Sequence, residues 1–116
     1  MSNPQHASLA AACRQDSWAR LAPRLLALHI DPSAGPQRLV QLLEEADARV
    51  RVDASHVLRA MSRHAWRVQA LAGPYRGSPR LGFQVAAGRQ TWWLQFEQMP
   101  RLRIVRIERL PDSTAV

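Results

Sequence analysis

Arg59, Arg63 and Arg67 recur every four residues, and His56 stands three residues before the first of them. On a helix that spacing puts all four side chains on one face. Guanidinium groups in such a row can meet successive phosphates, each offering a planar fork to the phosphate oxygens. His64 and Trp66 lie beside the row, and either ring would supply a surface for stacking against a base. The same pattern also describes a solvated helix face whose charge is partly balanced by Glu44, Glu45 and Asp47.

A second basic group follows. From Arg76 to Arg109 there are seven arginines against Glu97 and Glu108, which accounts for +5 of the net +7. Arg101, Arg103 and Arg106 are the densest part of it and are the further candidates for phosphate contact. With Tyr75 and Trp93 interleaved, the segment has the ingredients of a nucleic-acid platform, basic side chains plus aromatic faces. Two other uses compete with that one. Charged residues on exposed strands discourage edge-to-edge pairing. An outward Trp93 and Ile104, ringed by Arg, would suit a homodimer contact or a grip on an acidic protein surface.

The charge balance supports a polyanionic partner more broadly. All 16 basic residues are Arg, as a GC-rich genome favours, yet codon bias by itself does not unbalance acids and bases. An excess of this kind attracts nucleic acid, an anionic surface or an acidic protein. Catalysis finds little to work with. Cys13 is the single cysteine, which excludes an internal disulfide and a Cys-built metal cluster. It sits among alanines, where a free thiol is usually a small buried hydrophobe. His6, His29, His56 and His64 form no HExxH pattern, and there is no Gly-rich phosphate loop. The reading is therefore a non-enzymatic binding protein with no metal and no cofactor. The opening residues lack the basic and apolar regions of a secretory signal, and no run approaches the ~20 apolar residues of a membrane span, so a cytoplasmic location is expected.

The elements that must position these residues can be read in order. A chain of 116 residues with 47% hydrophobic content is expected to form one globular domain, with frayed tails at 1–6 and 111–116. Leu9, Ala12 and Cys13, then Trp18, Leu21, Leu25 and Leu28, follow helical spacing, with Pro23 either kinking the helix or starting a second one. Ser33 to Pro36 is a helix start, and Leu39, Leu42, Leu43 and Ala46 make the next apolar stripe. Residues 49–53 alternate, which predicts a short strand or an extended connector. Asp53 then caps a third helix over 54–66, with Val57, Leu58, Met61 and Ala65 inward. Arg67 to Ala72 drifts toward alternation, and residues 73–79 are a loop.

Residues 80–110 hold both Phe and the longest β-branched run, and they predict a meander. Leu81, Phe83, Val85 and Ala87 face inward, as do Trp92, Leu94 and Phe96. The last strand breaks parity, with Leu102 and Ile104 on one face but Val105 and Ile107 on the other. It carries a bulge, or it is central and apolar on both sides. The expected fold class is α+β: about three N-terminal helices packed on a C-terminal antiparallel meander of three to four strands. The stretch LVQLLEEADARVRVDASHVLRAM, residues 39–61, resembles the opening of a winged helix-turn-helix, which would make residues 81–97 the wing. No turn residue after Met61 separates a second from a third helix, which departs from that pattern. The helices-then-meander order is equally similar to cystatin-like and NTF2-like arrangements.

Overall fold

Trp18, Leu21 and Leu25 are three and four residues apart, and α1, Gln15–Ala27, turns that spacing into a buried face. The computed structural model describes residues 9–10, 12–27, 30–70, 82–98 and 100–111. Pro23 lies within α1 on its exposed side, and Ala19, whose carbonyl it cannot serve, is exposed as well. Water can take the missing donor's place there, so the helix runs through the proline instead of restarting at it. The expected continuation back to Leu9 is interrupted. Ala12 is in a turn, and Cys13 makes an isolated parallel bridge to Trp66.

Asp31 ends this segment by accepting from the Ser33 amide at 2.9 Å and the Ser33 hydroxyl at 2.8 Å, opening a 3-10 turn over Pro32–Ala34. The Trp18 indole donates to the Pro32 carbonyl at 3.2 Å and ties that turn to α1. Helix α2, Gln37–Glu44, buries Leu39, Val40, Leu42 and Leu43. Residues 49–53 are neither strand nor extended connector. The Asp47 carboxylate accepts from the Arg49 amide and starts a second 3-10 turn, Ala48–Val50, which passes directly into α3, Arg51–Arg63. The alternation misled because Val50 is buried while Val52 is 68% exposed. α3 therefore begins before Asp53 and stops at Arg63, with His64 already extended. Its buried face is Ala54, Val57, Ala60 and Met61, with Leu58 partly buried and Ala65 exposed.

The meander has four strands in sequence order, all antiparallel: β1 (Trp66–Ala70), β2 (Gly82–Ala87), β3 (Gln90–Glu97) and β4 (Arg103–Leu110). One face carries Trp66 and Val68, Phe83 and Val85, Trp92, Leu94 and Phe96, with Ile104 and Ile107, and it closes on the helices in a single core. α1 packs by β1, while α2 and the second 3-10 turn lie by β4. The domain is thus α+β, helices first and sheet after. Among the described residues no helix is long and apolar enough to cross a membrane. The tails at 1–6 and beyond Pro111, the loop at 73–79 with Tyr75 and Arg76, and also Arg80, His6 and His29, lie outside the described residues.

The parity break in β4 is a bulge. Gln95 pairs with Arg106 but Phe96 pairs with Ile104, so Val105 is the extra residue. Skipping one residue swings Ile104 onto the core face, where it is fully buried. Ile104 therefore does not share an outer face with Trp93, and β4 is an edge strand. Trp93 does stand opposite Trp92, but it is 1% exposed, and its indole lies against the backbone of Gly82 on the neighbouring strand. A Cβ at Gly82 would fall 2.5 Å from the Trp93 ring and 2.7 Å from the Leu94 carbonyl oxygen. Gly82→Ala is expected to lower stability by about 1–3 kcal/mol, the usual range for overpacking. Urea unfolding that returns the wild-type midpoint would contradict this contact.

Candidate functional site

The two halves of the expected Arg59/Arg63/Arg67 row sit on different elements. Arg59 and Arg63 are one turn apart on the exposed face of α3, about 6 Å along its axis. Arg67 is on β1, exposed on the sheet face opposite the core. Among the described residues none of the three is in an ion pair. Asp47, expected to balance them, serves Arg49 at 3.1 Å and Arg103 at 3.4 Å instead.

Trp66 requires a correction. It is not an open flank of a helix but the first residue of β1, 1% exposed, and its indole donates to the Leu9 carbonyl at 2.6 Å. A buried indole with its donor satisfied is a core anchor, with no face left for a base. Trp93 is buried likewise, and Ile104 has no exposure at all. The apolar centre expected for a partner surface is therefore not presented by these residues.

Arg67 gains a neighbour that its sequence position conceals. Arg14, immediately before α1, and Arg67 line one cleft of about 50 Å³, completed by Ala65, Trp66, Ala86 and Gly88. Gly88 heads the two-residue β2–β3 turn at φ +61°, a conformation that favours glycine. The His64 ring packs against it, 3.0 Å from where a Cβ would stand. Arg63 is one residue before His64, and exposed Arg89 is one residue after Gly88. The C-terminal end of α3, the chain before α1 and the β2–β3 turn thus bring several cations to one end of the sheet. Arg14 was not singled out from sequence, and Arg89 was counted only with the second basic group. Their signal is topological, since only the Cys13–Trp66 bridge and the hairpin put them near Arg67.

Of the remaining arginines, Arg101 and Arg103 lie at the other end, Arg106 pairs with Gln95 between the two ends, and Arg109, paired with Trp92, is back near the β2–β3 turn. Arg101 and Arg103 follow the β3–β4 connection, seven residues along β3 from the hairpin turn, roughly 24 Å at strand rise. Arg101 is exposed. Arg103 is held between Asp47 at 3.4 Å and Glu97 at 3.3 Å, and Arg106 approaches Glu108 at 3.7 Å. Arg109 lies over the Trp92 ring, 5.4 Å from its centroid. Three of these four guanidinium groups have work within the fold. Arg101 and Arg103 stand apart from Arg67 along the strands, while Arg106 shares the outer sheet face with it, three strands away.

Compared with known protein families, curated proteins and solved structures, the chain matches none.

Cys13 and Asp47 also serve the fold. Burial pushes the Cys13 thiol up to about 11, against a lowering hydrogen bond with Ser17. Such a thiol stays protonated and weakly nucleophilic near neutral pH. In the native protein it should react with a disulfide reagent at pH 8 many times more slowly than after denaturation, and equal rates would contradict its burial. Asp47 is held below the usual carboxylate range, first by the Arg49 amide and then by the Arg49 side chain. A depressed native value means that the unfolded chain binds the proton first as pH falls. The stability Asp47 contributes is thus complete above about pH 5 and is lost below about pH 4. Asp47→Asn should be less stable than wild type at pH 7, and the gap should narrow toward pH 3. Urea unfolding at both values measures it.

Proposed function

We propose that this protein binds nucleic acid or another polyanion through its phosphate groups, by charge and not by base stacking. The observation that carries the reading is the basic end of the sheet. There Arg59, Arg63 and Arg67, free of ion pairs among the described residues, are joined by Arg14 and by Arg89 on the turn. Cations left free of internal acids are the ones that can neutralise phosphates and release counterions. Burial of Trp18, Trp66, Trp92, Trp93, Phe83 and Phe96 favours backbone contact over stacking. The protein is read as non-enzymatic and cytoplasmic, with no cofactor required.

The order of elements offers a way to dock. α3 would present Arg59 and Arg63 as the leading helix of a winged-helix-like surface, with the β2–β3 turn as its wing. His64 packed on Gly88 holds those two parts in register. Arg103 and Arg106 drop to a secondary role in this reading because each meets an acid.

Fluorescence anisotropy with labelled oligonucleotides tests the proposal. About four neutralised phosphates give a slope of log K against log salt of roughly −3 to −4 on duplex DNA. Arg59→Gln and Arg63→Gln should each weaken binding and flatten that slope by about one. Arg103→Gln should leave it nearly unchanged. An absence of binding at low salt, for both duplex and single strands, would sink the proposal.

A further inference from the structure

We propose that the cleft between Arg14 and Arg67 is a phosphate subsite, where two guanidinium groups from separate elements grip a single phosphate. The inference rests on the polyanion reading and goes further, because it names one pocket and one chemical group. Arg14 comes from the chain before α1 and Arg67 from β1, yet they line the same cleft. Among the described residues no acid lines it, and neither arginine is in an ion pair. Two unbalanced cations around one hollow leave it a place for an anion.

The size suits that anion. A cleft of about 50 Å³ gives an anion room between the two arginines. It has space for between one and a few water-sized atoms, about 30 Å³ being one water's share of the liquid. Ala65, Ala86 and Gly88 complete its lining with small side chains or none. Gly88 cannot be enlarged freely, because the His64 ring already stands 3.0 Å from its would-be Cβ. Each guanidinium presents a planar fork, so two of them approaching from different elements can share the oxygens of one phosphate.

A double-mutant cycle separates one shared phosphate from two independent contacts. Arg14→Gln and Arg67→Gln change exposed side chains and leave the Arg14 carbonyl free to accept from Trp18 and Ser17, so the fold is retained. Circular dichroism checks this, and the two Lys variants serve if either Gln variant unfolds. By anisotropy, each single change should weaken oligonucleotide binding roughly tenfold. The double change should be clearly less than the product of the two and should flatten the salt slope by about one in total. A multiplicative loss with a slope change of about two, or no loss from either change, overturns the subsite while the wider reading stands. Comparing 5′-phosphorylated with 5′-hydroxyl strands identifies the source. A preference that the variants abolish indicates a terminal phosphate, and equal binding that both variants weaken indicates an internal phosphodiester. If no oligonucleotide binds at all, titration with inorganic phosphate monitored by amide NMR still decides. Shifts centred on Arg67 and Gly88 support the subsite, and unmoved signals there reject it.

Discussion

The hydrogen bond from the Trp66 indole to the Leu9 carbonyl, 2.6 Å long, is the contact on which the arrangement of this fold turns. Burying a Trp side chain contributes on the order of several kcal/mol, but only if its N–H finds an acceptor. An orphaned donor would cost about 1–3 kcal/mol of that gain. The acceptor comes from a segment 57 residues earlier in the chain. Holding it there also seats Cys13 beside the start of β1 and lets the Trp66 amide reach the Ala12 carbonyl at 3.4 Å. One ring therefore ends the α3 segment, begins the sheet and fixes where α1 starts. The proximity of Arg14 to Arg67 is a consequence of that ring, not a separate feature.

The opposite edge of the sheet is secured by different chemistry. At the β4 bulge the Ile104 carbonyl accepts from the Asp47 amide at 3.1 Å, which fastens the connector before α3 to an edge strand. The Asp47 carboxylate then meets Arg103 from the same strand. Ion pairs near the surface, as this partly buried one is, are individually worth about 0–1 kcal/mol. Their effect on charge is greater than their effect on stability, because arginines engaged with acids at this end are less available to a polyanion. The two ends of the molecule thus differ in what their arginines do, although their local sequences look alike.

That difference explains which features could be read from the residues. Periodicity was enough for α1 and α2, for the inward set Phe83, Val85, Trp92, Leu94 and Phe96, and for the order of helices before sheet. It failed where a local device overrode it. Asp47, by accepting from the Arg49 amide, made a helical turn out of an alternating stretch. The bulge at Val105 moved Ile104 to the core, and parity alone left two explanations of that strand open. Trp66 was misplaced because a helix flank and the first residue of a strand look the same until its distant acceptor is known. The candidate surface was half legible: Arg59 and Arg63 by spacing and Arg89 as one of the second basic group, but Arg14, and the nearness of Arg89 to Arg67, only through contacts distant in sequence.

The distribution of aromatics against arginines bears on how a polyanion would be recognised. A protein that reads bases needs exposed rings or polar side chains aimed at base edges. Here the Trp and Phe rings among the described residues are committed to packing, with even Trp93 pressed onto Gly82. The exposed groups at the basic end are guanidinium forks, small residues and the His64 ring packed on Gly88. The guanidinium groups suit phosphate oxygens and carry little sequence information. Their spacing is set by three rigid features: one turn of α3, the β1 register and the Gly88 turn. A surface of that kind discriminates by the path of a phosphate backbone. Its selectivity should therefore follow the shape of the strand more than its sequence.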